Sequence, residues 1–200
     1  NFNEYVQGLI LRSVFLGTQC NIGWAFEEAA RTFRPELWTK WIGLLDIKEQ
    51  KRPIESYGKR LESVNKDISN SAALAWSLYE SILSQVKSDI IFPKSFNDKI
   101  FSNPPSDPNT PYFEWHYIKH NFFLSHNELV KNAYKLEGIP GSIVQGRYDL
   151  LCPVINAYEI AKHWKNSNLI IVDEGAHSAN SDPMREQLVR AINDLTNKLI

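Results

Sequence analysis

Two titratable residues in the last third of the chain, Asp149 and His177, could together perform general base catalysis. Asp149 comes just after the apolar run 142–146, and His177 comes just after the run 168–173. If both runs are neighbouring parallel strands, the loops at their carboxyl ends meet, so a carboxylate and an imidazole there can pair. The carboxylate would fix the tautomer of the imidazole and stabilise its protonated form, which leaves the other ring nitrogen to accept a proton.

Asp149 and His177 also have plain structural interpretations. An Asp in a Gly-x-x-Asp segment such as 146–149 is ordinary turn chemistry, and a single His near a strand end is usually structural or exposed. The two residues nevertheless follow the order Asp, helix, His, which is the end of the Ser-Asp-His order of α/β-hydrolases. As a pair in this context they are a stronger catalytic candidate than either residue alone.

Strands that are covered on both faces are the elements that must position this pair. Three short runs, 8–15, 142–146 and 168–173, are almost continuously apolar, which is typical of buried parallel strands. The second run is followed by 154–164 and the third by 183–199, and apolar residues recur at helical spacing in both segments. The last third therefore predicts the β-α-β-α order of a doubly wound α/β fold.

The middle of the chain, about 20–137, lacks this alternation and has a helical, aromatic-rich pattern. Helices are predicted over 24–33, 35–45, 54–64, 71–86 and 112–134. Ser71 is a plausible N-cap region for the fourth helix, and a break is expected near Ser125 in the last one. A proline-rich loop is predicted over 92–111.

A helical block set between strands of one parallel sheet predicts a core domain that carries a large insertion. The core is assigned to 1–19 and 138–200, and the helical cap domain to 20–137. Ligands of open α/β sheets bind at the carboxyl ends of the strands, so a cap placed over those ends would close a pocket.

Composition limits the classes of partner. The 200 residues carry a net charge of −1, which provides no field for nucleic acid or an anionic membrane, and no apolar run is long enough to span a bilayer. The two cysteines, Cys20 and Cys152, are too few for a disulfide scaffold or a Cys-rich zinc site. This cysteine usage and the lack of a visible signal peptide fit a reducing cytoplasm.

Several separated motifs resemble the proline iminopeptidases (prolyl aminopeptidases), which are cap-bearing α/β-hydrolases. The longest is Ile139–Pro153, IPGSIVQGRYDLLCP, which is similar to the segment that carries the family's catalytic Asp. The other matching segments follow the family's order and are LRSVF at 11–15, 24–38, ALAWSLYE at 73–80 and GAHS at 175–178. The resemblance covers nearly the whole chain and is weakest across 87–114.

The resemblance implies a serine exopeptidase that removes N-terminal proline from peptides, with no metal and no organic cofactor. Asp149 and His177 match the family's triad Asp and His. Phe15 would line the pocket for the pyrrolidine ring, and Glu80 would bind the free amine of the substrate. Cys152 matches a cysteine near the site, where it could make activity sensitive to thiol reagents.

The three binding residues have simpler alternatives. Glu80 would otherwise be part of a solvated helix face, Phe15 part of the core, and Cys152 a small buried hydrophobe. The proposed role of Glu80 is physically reasonable, because a carboxylate in a partly dry pocket selects an ammonium group and so restricts cleavage to the chain terminus.

One departure from the family pattern concerns substrate choice. The family has a second amine-binding Glu before an aromatic pair, and placing Phe122 and Phe123 on that pair puts Lys119 at the position of the Glu. Glu114 lies five residues earlier and is expected to point to a different part of the helix. A cation would repel an ammonium group, so another capped α/β-hydrolase, such as an esterase or epoxide hydrolase, stays an alternative.

The second departure concerns the nucleophile, which the family carries in a Gly-x-Ser-x-Gly elbow. None of the nine glycines brackets a serine at that spacing. The run 7–15 would correspond to the sixth strand of an eight-stranded core. We therefore expect the C-terminal portion of an enzyme, inactive by itself, with the missing N-terminal core segment as a partner. A truncated fragment that acts only as a non-catalytic interaction module is the remaining alternative.

Overall fold

The computed structural model describes residues 3–102 and 109–200, and its strands form one parallel sheet. The three strands of the described residues are β1 (Leu9–Arg12), β2 (Gly141–Gly146) and β3 (Ser167–Val172), in the order β1-β2-β3. Leu9 lies opposite Gly141, which in turn lies opposite Ser167. The prediction of three parallel strands in the three apolar runs is confirmed.

The central strand β2 explains why these runs are apolar without alternation. Ile143 and Val144 are neighbours in sequence, so their side chains point to opposite faces of the sheet, and both are fully buried. Ile143 packs with Ala157 and other apolar residues on one face, and Val144 packs with Met184 on the other. A strand that is covered on both faces needs apolar side chains at every position.

The two covering helices are α8 (Val154–His163) and α9 (Asp182–Leu199). α8 contributes Ala157 and Ile160 to one core, and α9 contributes Met184 and Ala191 to the other. Both helices lie within a residue of their predicted bounds. The predicted β-α-β-α order of the last third is therefore confirmed.

The other helices lie before β2. They are α1 (Gln19–Gly23), α2 (Ala29–Phe33), α3 (Pro35–Gly43), α4 (Pro53–Leu61), α5 (Lys66–Leu83), α6 (Asn109–Lys119) and α7 (Glu128–Asn132). A π-helical turn, Trp24–Glu28, joins α1 to α2. Short 3₁₀ turns are formed by Asn3–Tyr5, Glu49–Lys51, Lys99–Ser102, Asn121–Phe123 and Ala133–Leu136.

The predicted helix boundaries were wrong in two regions. The fourth predicted helix begins at Lys66, so Ser71 lies inside it. Asn65 caps the helix instead, because its side-chain oxygen accepts the N–H of Asp67 at 2.9 Å.

The second error concerns the region around the predicted loop and the last predicted helix. α6 begins at Asn109, inside the predicted loop, of which residues 103–108 lie outside the described residues. α6 ends well before Ser125, because Asn121, Phe122 and Phe123 all have left-handed backbone conformations.

The chain divides into two compact units, which we describe separately. Within the described residues, the sheet unit comprises 3–21, 83–86 and 124–200, and the helical unit comprises 22–82, 87–102 and 109–123. The predicted assignment of a core domain and a cap domain stays a prediction. In the described part of the chain, every helix is too short or too polar to cross a membrane.

An aromatic cluster forms the core of the helical unit. The ring of Trp41 in α3 stacks on Tyr57 of α4 at 4.6 Å and on Tyr79 of α5 at 4.4 Å between ring centroids. Phe26 contacts Trp76 at 4.6 Å, and the Tyr57 hydroxyl donates to the carbonyl of Trp41 at 2.8 Å. The aromatic residues of the middle segment therefore hold α3, α4 and α5 together.

Candidate active site

Asp149 and His177 lie side by side in the sheet unit, on the loops that follow β2 and β3. Nδ1 of His177 is 3.2 Å from each carboxylate oxygen of Asp149. The carboxylate is fully buried, whereas 27% of the His177 side chain is exposed. The strand topology thus produces the predicted juxtaposition, with a buried anion behind a partly accessible imidazole.

The buried carboxylate of Asp149 accepts hydrogen bonds from its own turn and from a neighbouring side chain. Oδ1 accepts the backbone N–H of Leu151 at 3.0 Å and that of Cys152 at 2.8 Å, and Oδ2 accepts from the side-chain amide of Gln145 at 3.2 Å. Hydrogen bonds to a carboxylate offset the cost of removing its charge from water. Asp149 is therefore held in one orientation with one side of the carboxylate directed at His177.

Gln145 is a site residue that the sequence reasoning missed. Its side chain is fully buried in β2, where its oxygen accepts the N–H of Val14 at 3.2 Å. Its amide nitrogen donates to Asp149 and also to the carbonyl of Cys152 at 2.8 Å. The available signal was a polar amide in the middle of an otherwise apolar strand, since a buried polar group needs partners.

The loop carrying His177 lies very close to the end of β2. A Cβ on Gly146 would stand 2.3 Å from the carbonyl oxygen of Ala176, so only glycine permits this approach. The N–H of Tyr148 donates to the carbonyl of Gly175 at 2.9 Å and ties the two loops together. The absence of a side chain at Gly146 is thus a condition for the pairing of Asp149 with His177.

Two residues at the end of β1 hold the backbone of His177. A guanidinium nitrogen of Arg12 donates to the His177 carbonyl and to the hydroxyl of Ser13, and that hydroxyl is 3.4 Å from the same carbonyl. Ser13 is buried and has a φ of 49°, a left-handed conformation that is strained for a residue other than glycine. Residues at or just after the ends of all three strands therefore meet at His177.

Phe15 and Cys152 both lie in the sheet unit. Phe15 is half-buried and lines a cavity of about 410 Å³ whose other walls include Leu129, Leu136 and Ile160. Cys152 is buried, and its sulfur and the ligand atoms of Asp149 and His177 all lie within 4.8 Å of one another. This trio is the group of potential metal ligands found among the described residues.

Glu80 lies in α5 of the helical unit, where its carboxyl group is hydrogen-bonded to Glu114 of α6. Burial, and next the negative charge of Glu114, raise the pKa of Glu80 well above its ordinary value. The indole N–H of Trp76 donates to Oε2 of Glu114 at 2.7 Å. The two acids form a pair that holds a proton more readily than an isolated Glu does.

The sequence pattern placed Lys119 at the position of the family's second Glu and Glu114 on a different part of the helix, whereas in the structure it is Glu114 that contacts Glu80. The ammonium group of Lys119 pairs with Glu62 at 2.7 Å, and this contact lowers the pKa of Glu62. Lys119 was assigned to that position because Phe122 and Phe123 were matched to the family's aromatic pair. In the structure these two residues belong to the left-handed turn after α6. The contact of Glu114 with Glu80 depends on the packing of α5 against α6, which the sequence pattern does not specify.

Within residues 3–102 and 109–200, the hydrogen bonds of the His177 ring reach only the carboxylate of Asp149. The arrangement can therefore orient an imidazole and stabilise its cation. The sequence holds no Gly-x-Ser-x-Gly elbow that would supply a serine nucleophile to this imidazole.

The curated proteins similar to this chain include several proline iminopeptidases. A proline iminopeptidase of Arabidopsis thaliana is 32% identical over 189 residues, which cover 94% of this chain and 49% of the relative. A probable proline iminopeptidase of Leptolyngbya boryana is 31% identical over 193 residues, which cover 96% of this chain and 58% of the relative. The proline iminopeptidase of Neisseria gonorrhoeae is 30% identical over 200 residues, covering 98% and 61%.

These similarities confirm the resemblance to the proline iminopeptidases that the motifs predicted. The chain spans about half to three-fifths of the length of these relatives. No protein-family model matches the chain.

Proposed function

We propose that this relative of the proline iminopeptidases supplies the base, its orienting carboxylate and the amine-binding acids of a serine aminopeptidase. The reaction is release of proline from the N-terminus of a peptide. The observation that carries the proposal is the distance of 3.2 Å from Nδ1 of His177 to both carboxylate oxygens of Asp149. In this proposal the fold is an α/β-hydrolase, with 1–19 and 138–200 in the core and 20–137 as the cap.

The proposed chemistry follows from the orientation of the imidazole. Asp149 accepts a hydrogen bond from the Nδ1–H of His177, so Nε2 carries the lone pair and can take the proton of a serine hydroxyl as the serine attacks the prolyl carbonyl. The imidazolium then protonates the leaving amine, and water hydrolyses the acyl-enzyme by the same route. Since no serine of this chain is a candidate, the proposal places the nucleophile in the rest of the full-length protein.

The acid pair of Glu80 and Glu114 is proposed to recognise the free amino group of the substrate. Two carboxyl groups that share a proton carry about one negative charge, which matches one ammonium group. A charge-assisted hydrogen bond in a partly buried site contributes about 1.5–3 kcal/mol, enough to exclude peptides with a blocked N-terminus. Phe15 is proposed to contact the apolar pyrrolidine ring.

The esterase or epoxide hydrolase alternative depended on a cation at the amine-binding position. Lys119 is paired with Glu62 and Glu114 contacts Glu80, so the observation that favoured this alternative no longer stands. A proline-releasing peptidase is therefore the better-supported proposal.

The full-length protein that contains this chain provides the test. We expect it to cleave a prolyl chromogenic substrate faster than the alanyl analogue or a simple ester, and to leave an N-acetylated prolyl substrate intact. Glu114→Gln should raise KM for the prolyl substrate about 10-fold to 100-fold, the equivalent of one charge-assisted hydrogen bond. Lys119→Ala is the matched control on the same helix, and its KM for the prolyl substrate should stay within about twofold of the wild-type value.

Faster turnover of the ester than of the prolyl substrate would contradict the proposal. An effect of Lys119→Ala as large as that of Glu114→Gln would contradict the assignment of the acid pair. The 200-residue chain by itself is expected to show no turnover of any of these substrates.

A further inference from the structure

We propose that Asp149, Cys152 and His177 form a binding site for a borderline-soft divalent cation such as Zn²⁺, and that occupation of this site prevents His177 from acting as a base. The observation behind the proposal is that one carboxylate oxygen, one sulfur and one ring nitrogen lie within 4.8 Å of one another. Carboxylate, thiolate and imidazole are the three kinds of protein ligand that Zn²⁺ takes.

The carboxylate has a position that a cation can occupy. Oδ1 of Asp149 already accepts two backbone N–H groups, from Leu151 and Cys152. Oδ2 accepts the amide of Gln145, and both carboxylate oxygens lie 3.2 Å from Nδ1 of His177. A cation bound between the carboxylate and the imidazole would replace one hydrogen bond and leave the other three in place.

The charges of such a site balance. The carboxylate of Asp149 and the thiolate of Cys152 together carry two negative charges, which equal the charge of Zn²⁺, and His177 binds as a neutral ligand. The thiol proton leaves to solvent, and the single proton of the imidazole moves from Nδ1, which binds the metal, to Nε2. A neutral ion cluster avoids most of the cost of burying separate charges, which matters because Asp149 and Cys152 are both buried.

The outer contacts also suit a metal site. Gln145 donates to the Asp149 carboxylate and to the carbonyl of Cys152, so one buried amide fixes two of the three ligand residues. Outer hydrogen bonds of this kind orient ligands in natural metal sites. In this proposal a water molecule is the fourth ligand of a tetrahedral ion.

The effect on catalysis rests on the function proposed above. With the metal on Nδ1, the proton of His177 lies on Nε2, so this nitrogen has no lone pair to accept the proton of a nucleophile. Zinc would therefore act as an inhibitor that a chelator removes, and it would compete with the Asp149–His177 hydrogen bond rather than with substrate.

Cobalt titration of the 200-residue chain tests the site without any need for turnover. We expect one equivalent of Co²⁺ to produce tetrahedral d–d absorption and a thiolate-to-cobalt charge-transfer band, both removed by added Zn²⁺. Cys152→Ser should abolish the charge-transfer band and weaken Zn²⁺ binding at least 10-fold. Cys20→Ser is the matched control, because Cys20 is the other cysteine of the chain and is exposed, and it should leave both signals within twofold.

His177→Ala is the second variant, because a partly exposed imidazole can be removed with less risk to folding than a buried thiol. It should also weaken Zn²⁺ binding at least 10-fold, and circular dichroism of each metal-free variant verifies that it is folded. A charge-transfer band that survives Cys152→Ser, disappears with Cys20→Ser or never forms would overturn the proposal. Because this spectrum does not depend on peptidase activity, failure of the metal site and failure of the proposed function are separate results.

Discussion

At the scale of single residues, the position of His177 depends on two side chains to which the family motifs assign no function. Gln145 and Ser13 lie within the matching segments 139–153 and 11–15 but received no function there, yet one holds Asp149 and the other lies beside the carbonyl of His177. The sequence predicted the pair Asp149 and His177 because each follows a strand. It could not predict Gln145 or Ser13, because their partners lie up to 164 positions away in sequence.

Replacement of Gln145 should be strongly destabilising. Gln145→Leu keeps the approximate volume but leaves the N–H of Val14 and the carbonyl of Cys152 buried without their partner. Each unsatisfied buried group costs about 1–3 kcal/mol, so for the two groups we expect the free energy of unfolding to fall by about 2–6 kcal/mol in urea titration. Gln7→Leu, at an exposed position, is the control, and its free energy of unfolding should stay within about 0.5 kcal/mol of the wild-type value. Equal effects of the two substitutions would refute this role of Gln145.

The left-handed conformation of Ser13 makes a comparison of two variants informative. Ser13→Ala and Ser13→Gly both remove the hydroxyl, but only glycine adopts a φ of 49° without strain. We expect the glycine variant to be more stable than the alanine variant by about 1 kcal/mol, measured as the difference in their free energies of unfolding. An alanine variant that is as stable as the glycine variant would show that Ser13 has an ordinary backbone conformation.

At the scale of secondary-structure elements, the strands and the two covering helices could be predicted and the acid pair could not. Continuous apolar runs indicate strands with two covered faces, and Ile143 and Val144 meet two different cores as that pattern requires. Glu80 and Glu114 lie on two helices that are separated by a loop in sequence. Their contact depends on how α5 packs against α6, which helical periodicity does not specify.

The acid pair should make the protein less stable as pH rises. Acidic groups with a lowered pKa in the folded state have the opposite effect. The pKa of Glu80 is higher in the folded state than in the unfolded state, so between the ordinary Glu pKa and the raised value the folded protein binds more protons. The free energy of unfolding should therefore fall as pH rises through this window, by at most about 1.4 kcal/mol per pH unit for one proton.

Glu114→Gln removes the neighbouring negative charge and should reduce this slope, because it lowers the folded-state pKa of Glu80. The measurement is chemical unfolding of both proteins from pH 4.5 to pH 8, with Lys119→Ala as a control whose slope matches the wild type in this range. A wild-type stability that rises steadily across the whole range would contradict the raised pKa of Glu80.

At the scale of the whole molecule, the chain accounts for part of the machinery that its relatives' name implies. It spans about half to three-fifths of those relatives, and it carries a paired carboxylate and imidazole without a nucleophile motif. The order of motifs along the sequence was enough to predict the family resemblance. The sheet unit carries Asp149 and His177, and the helical unit carries Glu80 and Glu114. It stays a proposal that the first pair performs catalysis and the second binds the substrate amine.

The most direct test of the central claim is the rate of prolyl substrate cleavage by the full-length protein that contains this chain, compared with its Asp149→Asn variant. The amide keeps the shape of the side chain but no longer selects the tautomer of His177 with a proton on Nδ1. We predict that kcat/KM falls about 10⁴-fold, mainly through kcat, as in other enzymes that use an Asp to orient a catalytic His. An Asp149→Asn variant that cleaves the prolyl substrate within tenfold of the wild-type rate would contradict the account.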